Sequence, residues 1–365
     1  MLQKALALVL VVASIMGFTS CGNTANHHVY AALPAANQII AYREDPNSGV
    51  LTQIAGSPYS VGDGAHSLAL HPSGKFLYAA NPGQNENDIS LFTIASNGAL
   101  TEVLPRTLVA PAASLPQLLM MDPAGNFLYV ANAGSNNISV FSVDSGSGVL
   151  TQVAGSPFSI GGLSPLNMQL TPSGNFLYVS AASQPLGVIV GFSINAGVLT
   201  LASVTPTDGS NPNGIAIDHS GTFLYAANSA SNSISIFSIA SSGALQEVPG
   251  SPINSSFLVP VALILDPQGK FLYVANQGSN NVAAYSINAT TGLPDILTTS
   301  TTTGAFTTEG SPSFLVADPS GKYLFVGNQG SSAGIQAFVV SSGSLTALQT
   351  YGVGNTPSSI VVLGN

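Results

Sequence analysis

The chain has five histidines in 365 residues, and one of them stands in a setting suited to proton transfer. His66 opens the segment His66-Ser67-Leu68-Ala69-Leu70-His71-Pro72-Ser73-Gly74, three residues after Asp63. Imidazole is the commonest general base because it both takes and returns a proton near neutral pH. A carboxylate close by, here Asp63, would orient or charge it. Gln117, Asn167, Asn213 and Glu309 are the polar candidates for ligand contact. No lysine or arginine is placed to stabilise an oxyanion. No metal centre is expected, since one would need Asp63, His66 and Glu309 to converge from distant segments. A single cysteine excludes a Cys-based zinc site or a disulfide scaffold. No cofactor is expected either, because a quinone or copper site would need basic or Cys/His/Met clusters that the chain lacks.

The elements that must position these residues repeat. A turn and a strand recur as HPSGKFLY (71–78), DPAGNFLY (122–129), TPSGNFLY (171–178), DHSGTFLY (218–225), DPQGKFLY (266–273) and DPSGKYLF (318–325). The closing aromatic is Tyr30, Tyr78, Tyr129, Tyr178, Tyr225, Tyr273 or Phe325. A period of about 50 residues with short strands signals a propeller rather than a helical solenoid. Each period holds four strands. The first is short and apolar, as in IAID (215–218). A turn of the Asp-Pro-x-Gly kind joins it to the second. The third alternates, as in ISVFSV (138–143), which places its apolar residues on one face. A glycine turn leads to the fourth.

The first period, opening at HVYAAL (28–33), lacks its first strand, and the C-terminal SSIVVLGN (358–365) is a first strand without the rest. The expected fold is therefore all-β: seven four-stranded antiparallel blades over 29–365, closed by the last strand joining the first blade. In this topology one face carries the loops between blades and the loops joining strands two and three. The residue after the proline that precedes each first strand, or after Ala65 in the matching place, is expected at the channel mouth there. That ring reads His66, Gln117, Leu166, Asn213, Val261, Ser313 and Ser358. Asn81, Asn132, Asn228, Asn276 and Asn328 end second strands and read as loop formers. Arg43 and Arg106 read as surface cations.

Charged residues make up 6% of the chain, with six Lys and Arg and a net charge of -9. Six cations cannot build the basic patch that duplex nucleic acid requires, so no nucleic-acid partner is expected. Abundant, regularly placed apolar residues exclude charge-driven disorder. Residues 1–20 combine Lys4 with an apolar stretch from Ala5 to Phe18, a secretory signal shorter than a membrane span. Phe18-Thr19-Ser20-Cys21 resembles a bacterial lipobox. The expectation is cleavage before Cys21, lipidation of that cysteine and attachment to a membrane of the cell envelope. Residues 21–28, with His27 and His28, read as a structureless tether. The protein is expected outside the cytoplasm, as a monomer.

The segments YVANAGSNNISVFSV (129–143) and YVANQGSNNVAAYSI (273–287), with the PSGKFLY turns, resemble the lactonase-like seven-bladed propeller family, which includes 6-phosphogluconolactonases, and the related YVTN-type surface propellers. The resemblance spans nearly all of 29–365. It implies a histidine just before a first strand, in a segment like H-x5-P-[SD]-G, and His66 matches. It also implies arginines at the equivalent place in other blades and a glutamate after a late Asn. This chain has Gln117, Leu166, Asn213, Val261 and Ser313 at the first positions and Gln329 at the second. On that ground the favoured function is a binding or interaction scaffold, taking a small molecule, carbohydrate or protein at the channel face. The alternative is a lactone hydrolase using His66.

Overall fold

The computed structural model describes residues 27–83, 87–109, 115–183, 185–298, 303–330 and 333–364. Seven antiparallel sheets follow one another around a central channel. The closing sheet orders Ser359–Leu363, His27–Leu33, Gln38–Glu44 and Leu51–Gln53 from the channel outward, so the last strand completes the first blade as the repeat predicts. Its register pairs Val29 with Val362 and Ala31 with Ile360.

Burial grades across each blade and explains the strand compositions. Second strands such as Phe76–Asn81 and Phe223–Asn228 are buried along their whole length, which is why they read as continuous apolar runs. Outer strands such as Leu100–Leu108 are half-buried or exposed along nearly all their length. The core lies between blades rather than within them. One cluster joins Val29, Tyr42 and Ile360 of the closing blade to Tyr323, Phe325 and Ile335 of its neighbour.

A recurring hydrogen bond locks successive blades together. The hydroxyls of Tyr30, Tyr78, Tyr178 and Tyr225 donate to the carbonyls of Gly98, Gly148, Gly243 and Gly292, each in the outer turn of the next blade. Those turns must come close. Gly148 has φ +74°, and a Cβ there would stand 2.8 Å from the Phe76 ring. Gly148→Ala therefore combines a left-handed strain with a blade-to-blade clash. A loss of more than about 1 kcal/mol is expected, read as a lower midpoint in denaturant.

Three sequence expectations change. His27 and His28 are no tether. They open the strand His27–Leu33 and both are buried. His28 takes the place that Phe76 holds in the next blade, under the Gly98 turn. The strand-ending asparagines are buried tie points rather than loop formers. Asn132 Nδ2, for example, donates to Asn137 Oδ1 and Ser139 Oγ at 2.8 and 2.9 Å, joining strand two to strand three. Arg106 is half-buried, not a free surface cation, with Nε 2.7 Å from a Glu102 carboxylate oxygen. The signal segment 1–20 and Cys21 lie outside the described residues.

Candidate functional site

A proline, or Ala65 in its place, stands at the entry to each first strand. In five blades the ladder skips the residue that follows it, so Gln117, Leu166, Asn213, Val261 and Ser313 sit in β-bulges. A bulge re-aims a side chain away from the regular pleat. His66 and Ser358 hold the same place just outside their strands, with their N–H groups donating to Ala80 and Ala32 carbonyls. The seven ring residues thus occupy equivalent positions.

His66 is half-buried, and its Nδ1 lies 3.0 Å from the main-chain carbonyl of Gln117 in the next blade. A carbonyl only accepts, so Nδ1 carries the proton and Nε2 keeps the lone pair. The Ser358 hydroxyl donates to the His66 carbonyl at 2.7 Å and holds the segment from the other side. His66, Asn167, Ser358 and Ser359 line a cavity of about 180 Å³ together with Phe314 and Leu118. No charged side chain lines it among the described residues.

Among the described residues no hydrogen bond joins Asp63 to the imidazole. Its Oδ1 accepts from Asn37 Nδ2 at 3.1 Å and its carbonyl accepts the Gly83 N–H at 3.0 Å, which braces neighbouring loops. The orienting bond comes from a backbone carbonyl, which no residue type announces. Gln117 contributes that carbonyl, while its side chain and Asn213 lie outside the cavity lining. Glu309 is exposed, its N–H bonded to Gln336 Oε1 at 3.1 Å, and is likewise outside the lining. Of the candidates, His66 and Asn167 are brought together. Asp63, His66 and Glu309 do not converge.

A different trio does. At the opposite end of the blades, where first and second strands turn, His27 Nδ1 lies 3.4 Å from Glu44 Oε2 and 4.0 Å from Asp318 Oδ2. All three residues are buried. The antiparallel register faces His27 directly with Glu44, and the neighbouring blade supplies Asp318 from its turn. Burial, then the nearby Asp318 and Asp45 charges, push the Glu44 carboxyl up to about 8. Such an acid keeps its proton in the fold over a range where the unfolded chain has lost it. Stability is therefore full below the unfolded value of 4.5 and falls as pH rises towards about 8. In chelator-treated protein the melting temperature is expected to decline across that window, and Glu44→Gln to remove this part of the slope. A slope unchanged by the substitution would assign it to other groups.

The sequence reading missed this trio because it ended the tether at residue 28. The signal was present: His27-His28-Val29-Tyr30 aligns with Lys75-Phe76-Leu77-Tyr78, and Glu44 stands where the next blade has Ile94.

Comparison with known proteins places this geometry among relatives. A family profile described as "Lactonase, 7-bladed beta-propeller" matches residues 23–163, 163–259 and 259–362. A 6-phosphogluconolactonase of Formosa agariphila is 42% identical over 73 residues, 19% of this chain and 20% of that protein. The match thus spans about a fifth of that relative's length. A Bacteroides fragilis protein assigned by inference as a 6-phosphogluconolactonase superposes with TM-score 0.78 at 22% identity, covering 94% of this chain and 99% of the other. The periplasmic gluconolactonase of Pseudomonas aeruginosa superposes with TM-score 0.76 at 19% identity, covering 93% and 99%. At these identities the structural likeness speaks for the fold alone.

Proposed function

The chain belongs to the lactonase family of seven-bladed β-propellers, and from that premise we propose that it hydrolyses an uncharged lactone in the cavity beside His66. One observation carries the reading. The Gln117 carbonyl sets the imidazole tautomer in advance, leaving Nε2 as the base on a residue that lines the cavity. Nε2 takes a proton from water as the water oxygen bonds to the lactone carbonyl carbon. The ring C–O bond then breaks, and the imidazolium returns the proton to the leaving ring oxygen. The product is an open-chain hydroxy acid. Asn167 supplies an amide donor for the carbonyl oxygen as charge develops on it.

The substrate class follows from the lining. A phosphorylated lactone would bring charge that no lining residue answers. An uncharged sugar lactone suits the hydroxyl and amide groups present. The Pseudomonas relative is named for gluconolactone and the Formosa relative for its phosphorylated counterpart, so family likeness admits both. The scaffold reading favoured by the missing cations gives way here, because absent cations argue against a charged substrate and not against hydrolysis.

A location outside the cytoplasm completes the proposal. The signal-like segment 1–20 supports it, as does the periplasmic address of the Pseudomonas relative. Lipidation of Cys21 and a monomeric state belong to the same reading. The test is turnover of uncharged and phosphorylated sugar lactones by the purified chain, compared with His66→Ala. No turnover of any lactone would return the protein to the scaffold class.

A further inference from the structure

The cluster of His27, Glu44 and Asp318 is unlike anything else among the described residues. It is the one group of histidine and acidic side chains whose ligand atoms all lie within 4.8 Å of one another. The Glu44 side chain is wholly buried, and neither of its oxygens has a hydrogen-bond partner. His27 Nδ1, 93% buried by side chain, has none either and is aimed at both carboxylates. Buried polar atoms are nearly always satisfied, and an orphaned carboxyl group is a costly exception in either protonation state. Asp318 differs. Its carboxylate accepts the Tyr323 and Ser320 N–H groups and the Ser320 hydroxyl, so its turn holds it rigidly in place.

Comparison between blades makes the substitution plain. At the register position of Glu44 the other six blades carry Ile94, Val143, Ile194, Ile239, Ile287 and Val340. The facing position, His27 here, is Lys, Asn or Thr in those blades. An acid has replaced an aliphatic residue, and an imidazole has entered opposite it, only at the seam where the ring closes.

Distance and charge agree on what fills the gap. Ligands of a tetrahedral zinc ion, bonded at about 2.0–2.2 Å, stand about 3.3–3.6 Å apart. The pair at 3.4 Å already fits, and the pair at 4.0 Å needs a shift of a few tenths of an ångström. One neutral imidazole and two carboxylates sum to two negative charges, which a divalent cation balances. A nitrogen ligand among only three protein ligands suits zinc rather than calcium or magnesium. Asp318 also borders a cavity of about 370 Å³ at this end of the molecule.

The geometry points to a zinc site formed by His27 Nδ1, Glu44 and Asp318, with a fourth position for water, that ties the closing blade to its neighbour. His27 and Glu44 belong to the blade completed by the C-terminal strand. Asp318 belongs to the adjacent blade, between Ser311–Ala317 and Tyr323–Gln329. The ion is a cross-blade staple, separate from the cavity at His66.

The test adds zinc or cobalt(II) chloride to the full-length purified chain after chelator treatment. Expected results are one zinc per chain by elemental analysis, a raised melting temperature, and the visible absorption bands of a low-coordinate cobalt(II) ion. Stoichiometric binding is lost in Glu44→Gln and in His27→Gln, with circular dichroism checking the fold, and kept in His66→Asn. Should both seam variants fail to fold, the wild-type cobalt spectrum and zinc stoichiometry decide. Absence of stoichiometric binding by the wild type overturns the proposal. So does binding that survives Glu44→Gln or disappears in His66→Asn. Lactone turnover has no part in these readouts, so the zinc site and the hydrolase reading stand or fall separately.

Discussion

Replacing His66 with alanine is expected to lower kcat for an uncharged sugar lactone by about 10²- to 10⁴-fold, the usual contribution of a positioned general base. KM should change little, because the imidazole acts on water rather than holding the sugar. The fold should survive. His66 is half-buried, its N–H bond to Ala80 is main chain, and the Ser358 hydroxyl bonds its carbonyl, so the backbone contacts persist without the ring. A His66→Ala protein that melts as the wild type does and turns over as fast would remove the imidazole from the mechanism. Asn167→Ala makes a useful companion. If its amide meets the developing charge, kcat falls while KM is nearly constant, whereas a ground-state contact would raise KM instead.

Ending the chain at Thr356 is expected to abolish cooperative unfolding. The segment removed contains Ser359–Leu363, the innermost strand of the closing blade, paired along His27–Leu33. Without it the edge of His27–Leu33 is open to the channel, and unpaired edges invite association with other chains. Ile360 also belongs to the apolar cluster shared with the neighbouring blade. A milder variant keeps the expectation testable if the truncated chain cannot be purified. Ile360→Ala should cost about 2–5 kcal/mol, measured by denaturant unfolding. Both changes should depress lactone turnover, since Ser358, Ser359 and Ile360 line the cavity beside His66. A truncated chain that melts in one sharp transition near the wild-type temperature would show that closure is not what holds the ring.

The blade architecture was legible because it depends on short-range signals. Turn residues, two-residue alternation and the recurring aromatic each act over a few positions and repeat from blade to blade. Even closure could be read by counting strands, since a first strand without a blade and a blade without its first strand leave one solution. The histidine at the channel mouth was legible for the same reason, as it holds a fixed offset from a turn. Asp63 shows where this ends. Proximity in sequence suggested a carboxylate beside the imidazole, but a loop sends Asp63 to Asn37 and Gly83. The partner that fixes the tautomer is a main-chain carbonyl from the next blade.

By itself, the sequence determined the number of blades, their strand order, the way the ring shuts and the ring position that His66 occupies. Only the tertiary structure decided what His66 touches, and that Glu44 and Asp318, from opposite ends of the chain, meet at His27. The reason is physical. Strand pairing and turns are set by neighbours within a few residues, whereas contacts between blades depend on how complete sheets pack against one another. The seam that joins the two chain ends is where packing brings the most distant residues together.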